Sequence, residues 1–166
     1  MQTPGVQAGD PVEARRTRES LVGWGAPLAG VRGIRHHALH ETLLRGLSEA
    51  YHDGTVLRVL PSVLARNLEA VDWAALREEA RRQKLKAELG LLVELTAALL
   101  DRPALLAHSA ALHDKRRRTM RFFPAVKSSY EARAARQHSP RVARRWGFWM
   151  NMSEESFRTT VERHRA

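Results

Sequence analysis

Residues 85–100, LKAELGLLVELTAALL, constrain this chain more than any other stretch. Leu85, Leu89, Leu92 and Leu99 recur along one face of a helix, and Leu91 and Leu95 stand beside that face. A helix that is apolar on more than one side has to be enclosed by other elements. The segment is therefore expected to be the central core helix. A chain of 166 residues suits one domain that buries a modest core around it.

The neighbouring segments also read as helices. Leu39, Leu43, Leu47 and Tyr51 recur every four residues within 34–51, and Asp53-Gly54 ends that stripe. Residues 55–67 are apolar but contain Pro61, which has no N–H to donate, so a short turn and a restart at Pro61 is expected there. Asp72 suits the N-cap of a helix running from Trp73 to about Gln83. Asp101-Arg102-Pro103 opens a fifth helix reaching about His113, with Leu105, Leu106 and Leu112 facing inward. Residues 43–67 and 75–99 share a helix–turn–helix pattern at an offset near 32, with Leu44/Leu76, Leu57/Leu89 and Leu60/Leu92 in matching places. The first 33 residues hold three of the seven prolines and six of the ten glycines, the composition of a flexible lead-in, with at most a short helix over 12–22. The expected fold is all-α. About five helices pack as a small bundle or helical-hairpin stack (34–113) behind a flexible N-terminus (1–33). A basic–aromatic arm (114–166) follows, ending in a short helix capped by Ser153 with Phe157 and Val161 on one side. No apolar run approaches the ~20 residues of a membrane span. Residues 21–31 read as linker rather than leader, so a cytoplasmic protein without membrane association is expected.

Charge divides the chain sharply. Residues 1–114 carry 14 Lys+Arg and 14 Asp+Glu; residues 115–166 carry 14 against 4, which accounts for the whole formal net charge of +10. Seven of the ten aromatic residues lie in the same last third. Only four of the 28 basic residues are lysine, a bias that a GC-rich bacterial genome produces unaided, but such a bias does not explain why the charge sits at one end. Guanidinium groups grip phosphates bidentately and aromatic faces stack on unpaired bases. Arg116, Arg117, Arg118, Arg121, Arg144 and Arg145 are accordingly the expected anion contacts, with Phe122, Trp146 and Trp149 as stacking or anchoring groups. The expected function is that of a non-enzymatic accessory or regulatory protein of bacterial type. It would bind nucleic acid or another macromolecule, such as an acidic protein partner, through residues 115–149. An antitoxin, immunity or complex-subunit module, whose arm wraps a partner, is the alternative from a second class.

Other constellations are less specific. His36, His37, His40 and Glu41 offer metal-ligand types at helical spacing, but nothing nominates a further ligand. An Arg followed at ribonuclease-like spacing by His occurs at Arg32/His37, Arg45/His52, Arg102/His108, Arg133/His138 and Arg158/His164. Five occurrences measure the abundance of the two residues, and a small all-α ribonuclease using such a pair is the enzymatic alternative. Residues 73–95 match a helix-turn-helix loosely, with its break near Lys84–Lys86. With no cysteine in the chain, thiolate zinc sites and thiol nucleophiles are excluded. No glycine-rich phosphate loop or paired carboxylates stand out, so no cofactor and no metal are expected.

Overall fold

The computed structural model describes residues 9–116 and 119–164. Its elements, in order, are α1 (Pro11–Gly23), α2 (Leu39–Ala50), α3 (Gly54–Arg66), α4 (Trp73–Arg82), α5 (Lys86–Leu100), α6 (Leu106–Ala110), β1 (Arg121–Phe122), α7 (Ser129–His138), α8 (Arg141–Arg145), β2 (Phe148–Trp149) and α9 (Glu154–Arg163). The architecture is all-α, the strands being two-residue pieces that pair in parallel, Arg121 with Phe148 and Phe122 with Trp149.

The core forms around α5 as its composition demands. Residues 87–93, 95–97 and 99 of that helix are all buried. α3 packs along it, α4, α6 and α8 touch it, and α9 lies against both α3 and α5. α2 pairs with α3, and α1 lies on α2. Burial of α5 along most of its length speaks against the helix-turn-helix reading, because a recognition helix presents a long face to DNA.

Four expectations are corrected. Residues 9–33 are not a flexible lead-in but carry α1, capped by the Asp10 carboxylate on Val12 N–H with Pro11 at its first position. The only large apolar side chain that α1 buries is Leu21, so it shows no stripe in the sequence. It is held instead by Arg18–Asp53 at 2.8 Å and Glu13–Arg45 at 3.0 Å. Residues 1–8 of the same expectation lie outside the described residues. Next, α3 runs unbroken through Pro61. A proline inside a helix costs about 3 kcal/mol, and the burial of Val56, Leu57, Leu60, Val63 and Leu64 on both sides of it offsets that. The third correction is that α2 begins only at Leu39, leaving His36 and His37 in the preceding loop. His36 meets Glu19 at 2.5 Å, and among the described residues no group of three or more potential ligands is placed to hold a metal. Finally, a 3-10 turn over Pro103–Leu105 changes the helical register, so Leu105 and Leu112 are buried while Leu106 is 43% exposed.

Two histidines couple this packing to pH. His37 is held below the ordinary histidine range by burial first and by the Arg45 charge second, with the Glu41 and Glu13 charges opposing. His108, stacked on Trp73 at 3.9 Å, is likewise lowered by burial and then by Arg77. A depressed folded value means that the unfolded chain takes up protons first. This stabilisation is present above pH ~6.5 and is lost as pH falls through the ordinary histidine range. The melting temperature is expected to drop between pH 7.5 and 5.5, and His108→Gln should flatten that dependence. A melting temperature indifferent to pH over that window contradicts this.

Candidate nucleic-acid interface

Trp146, at the C-cap of α8, fixes the geometry of the basic third. Its ring is buried, 2% exposed, and lies directly on Gly90 of α5, where a Cβ would come within 2.3 Å of it. The indole N–H donates to a Glu94 carboxylate oxygen, Arg145 pairs with the other oxygen, and the His113 ring stacks outside at 4.0 Å. Phe123 and Phe148 are fully buried nearby. Trp146, Phe123 and Phe148 are therefore anchors into the core, and Trp146 presents no face to a base. Docked in this way, α8 and the strand pair are carried onto the N-terminal end of α5.

Several cations converge there. Arg121 N–H donates to Gly147 O at 3.0 Å, and its side chain reaches the buried Glu88 at 3.1 Å. The α4–α5 turn lies opposite. Its hydrogen bond from Leu85 N–H to Ala80 O, at 2.8 Å, closes a Schellman-type cap and places Lys84 in the left-handed conformation (φ 59°), exposed to solvent. A groove of about 610 Å³ results, lined by Arg81, Lys84, Lys86, Arg116 and Arg121 with Ala87, Glu88 and Asp114. A smaller cleft of about 180 Å³ continues it past His113 to Arg144 and Arg145. The two share Asp114, Arg116, Trp146 and Gly147, so they form one track. The N-cap Leu85 has no side chain that can accept from the first turn of α5. The partial positive charge of that helix end therefore adds to the side chains.

Arg15–Glu19, Arg16–Glu13, Arg81–Glu78 and Arg82–Glu79 pair within α1 and α4, Arg81 being one of the groove's own cations. Along the track Arg81, Arg121 and Arg145 are paired, whereas Lys84, Lys86, Arg116 and Arg144 make no ion pair with any described residue. Of the expected site residues, Arg116, Arg121, Arg144, Arg145 and Trp146 thus come together. Phe122 and Trp149 stand on the other side of the strand pair, where the Arg136 guanidinium sits 5.4 Å from the Phe122 ring. Arg117 and Arg118 lie outside the described residues. Arg81, Lys84 and Lys86 were overlooked as site residues, because in sequence they read as a solvated face balanced by Glu78, Glu79 and Glu88. Only the docking of the C-terminal third onto α5 turns them into one wall of a groove. Among the Arg/His spacings, His108 hydrogen-bonds Arg77 at 3.5 Å rather than Arg102.

Lys84 allows stability and binding to be separated. A non-glycine residue at positive φ is strained, so Lys84→Gly is expected to stabilise the fold by about 0.5–1 kcal/mol. The same change removes one cation and should weaken polyanion binding several-fold. Chemical denaturation and a binding titration on one preparation check both; a variant that loses stability contradicts the assignment.

Comparison with protein-family models, curated proteins and solved structures finds no match.

Proposed function

We propose that this chain is a non-enzymatic accessory protein that binds the phosphodiester backbone of single-stranded nucleic acid along the track from Lys84 and Lys86 past Arg116 to Arg144. One observation carries the reading. Cations that make no ion pair with any described residue, drawn from segments on both sides of α5's N-terminal end, line one continuous concavity in which the Trp146 ring is turned into the core. Contacts of that kind are made to phosphates and carry no base information, so affinity should be independent of sequence. The cations lie within a cleft rather than on a projecting helix or ribbon that could enter a duplex groove, which favours an extended single strand.

Fluorescence anisotropy at low salt tests this with labelled single-stranded oligonucleotides of different composition, a duplex of equal length and inorganic polyphosphate as competitor. Single strands of every composition should bind within a few-fold of one another and more tightly than the duplex, and polyphosphate should displace them. Absence of binding at low salt, with co-purification of a stoichiometric acidic protein, would overturn the reading in favour of a protein-interaction module.

A further inference from the structure

A second cluster lies at the opposite end of α5, about 21 Å from the first at 1.5 Å per helical residue. There the C-terminal ends of α3, α5 and α9 meet around a cavity of about 120 Å³ lined by Ser62, Arg66, Arg102 and His164, with Leu100 and Val161 among its apolar walls. No carboxylate side chain of a described residue lines it. Arg102 makes no ion pair with any described residue, and one Nη of Arg66 donates to His164 O at 2.5 Å, which leaves its remaining donors. Ser62 is 5% exposed, and its hydroxyl is buried without a hydrogen-bond partner. Buried polar groups are almost always bonded, so an unpartnered hydroxyl beside two guanidiniums is a feature that a ligand would explain.

We infer that this cavity is a binding site for a small tetrahedral oxyanion, phosphate or the terminal group of a phosphomonoester, held by the Ser62 hydroxyl, the Arg66 and Arg102 guanidiniums and the His164 ring. The three helix ends carry roughly half a negative charge each, and cations commonly collect there for that reason alone. Two features go beyond such capping. The Arg102 side chain hydrogen-bonds no carbonyl group among the described residues, and a serine hydroxyl compensates no charge at all. Guanidinium forks and a hydroxyl are the donor set that fits the oxygens of a phosphate, and the volume admits one such ion. The site stands independently of the nucleic-acid reading, since none of its residues lines the track.

Isothermal titration of the full chain with inorganic phosphate, and separately with glycerol phosphate, tests it. One saturable site is expected; comparable affinity for the ester indicates recognition of a terminal group, and a loss of tenfold or more restricts the site to the free ion. The exposed Arg102→Gln should weaken phosphate at least tenfold, while Arg16→Gln, on α1 away from both sites, leaves it unchanged. Ser62→Ala should also weaken phosphate, yet leave the melting temperature without phosphate equal or higher, which a hydroxyl needed only for structure would not do. Lack of saturable binding, or binding abolished by Arg16→Gln and retained in Arg102→Gln, overturns the assignment.

Discussion

Gly90→Ala is expected to destabilise the protein by about 3 kcal/mol or more, although the same change inside most helices stabilises by about 1 kcal/mol. The reversal of sign follows from one contact. A methyl group at position 90 would come within 2.3 Å of the Trp146 ring, whose other face is covered by His113 and whose N–H is tied to Glu94. The ring cannot retreat without giving up its burial and its hydrogen bond. Trp146→Ala alone should cost about 3–5 kcal/mol. In that background Gly90→Ala should become neutral or favourable, because nothing remains for the methyl to strike. Urea denaturation of the two single variants and the double variant measures this coupling. A Gly90→Ala protein more stable than the parent would show that Trp146 does not occupy the position described.

The second large effect concerns binding rather than stability. Neutralising Lys84, Lys86, Arg116 and Arg144 together, each to glutamine, should lower affinity for single-stranded oligonucleotides by about a thousandfold at low salt, at roughly 1 kcal/mol per charge-assisted phosphate contact. These side chains pair with no described carboxylate, so their removal breaks nothing in the fold and the melting temperature should stay within about 2 °C. Neutralising Arg15, Arg16 and Arg82 instead, which are paired on distant or outward helix faces, should change affinity far less. If both sets lowered affinity equally, net charge rather than the track would be responsible.

The sequence disclosed what repetition and end signals encode. α5 was legible because its leucines leave no polar face, and α4 and α9 because Asp72 and Ser153 are placed to cap them, as they do on Ala75 N–H at 3.1 Å and Ser156 N–H at 3.2 Å. α1 and α7 were not legible as packed elements. α1 docks by ion pairs and α7 buries only Ala135, so neither shows a stripe. Pro61 misled in the other direction, since a local rule about hydrogen bonds was outweighed by burial that only the assembled core supplies. The candidate site was half legible. Arg116, Arg144 and Arg145 stood out by charge asymmetry, but their complement on the α4–α5 turn is about thirty to sixty residues upstream and reads as ordinary solvated surface. Gly90 was visible as an anomaly in mid-helix, and its reason, the Trp146 ring, comes from 56 residues further along.

The most direct test of phosphate recognition by the track is the dependence of binding on salt. For the unmodified chain and a single-stranded oligonucleotide, log K against log salt concentration should fall with a slope of about −3, corresponding to four or five phosphates at about 0.7 each. Single changes at Lys86 or Arg116 should each bring the slope nearer zero by somewhat less than 1, and the fourfold variant should be almost flat. A slope near zero for the unmodified chain, or one that the fourfold variant leaves unaltered, would contradict the account.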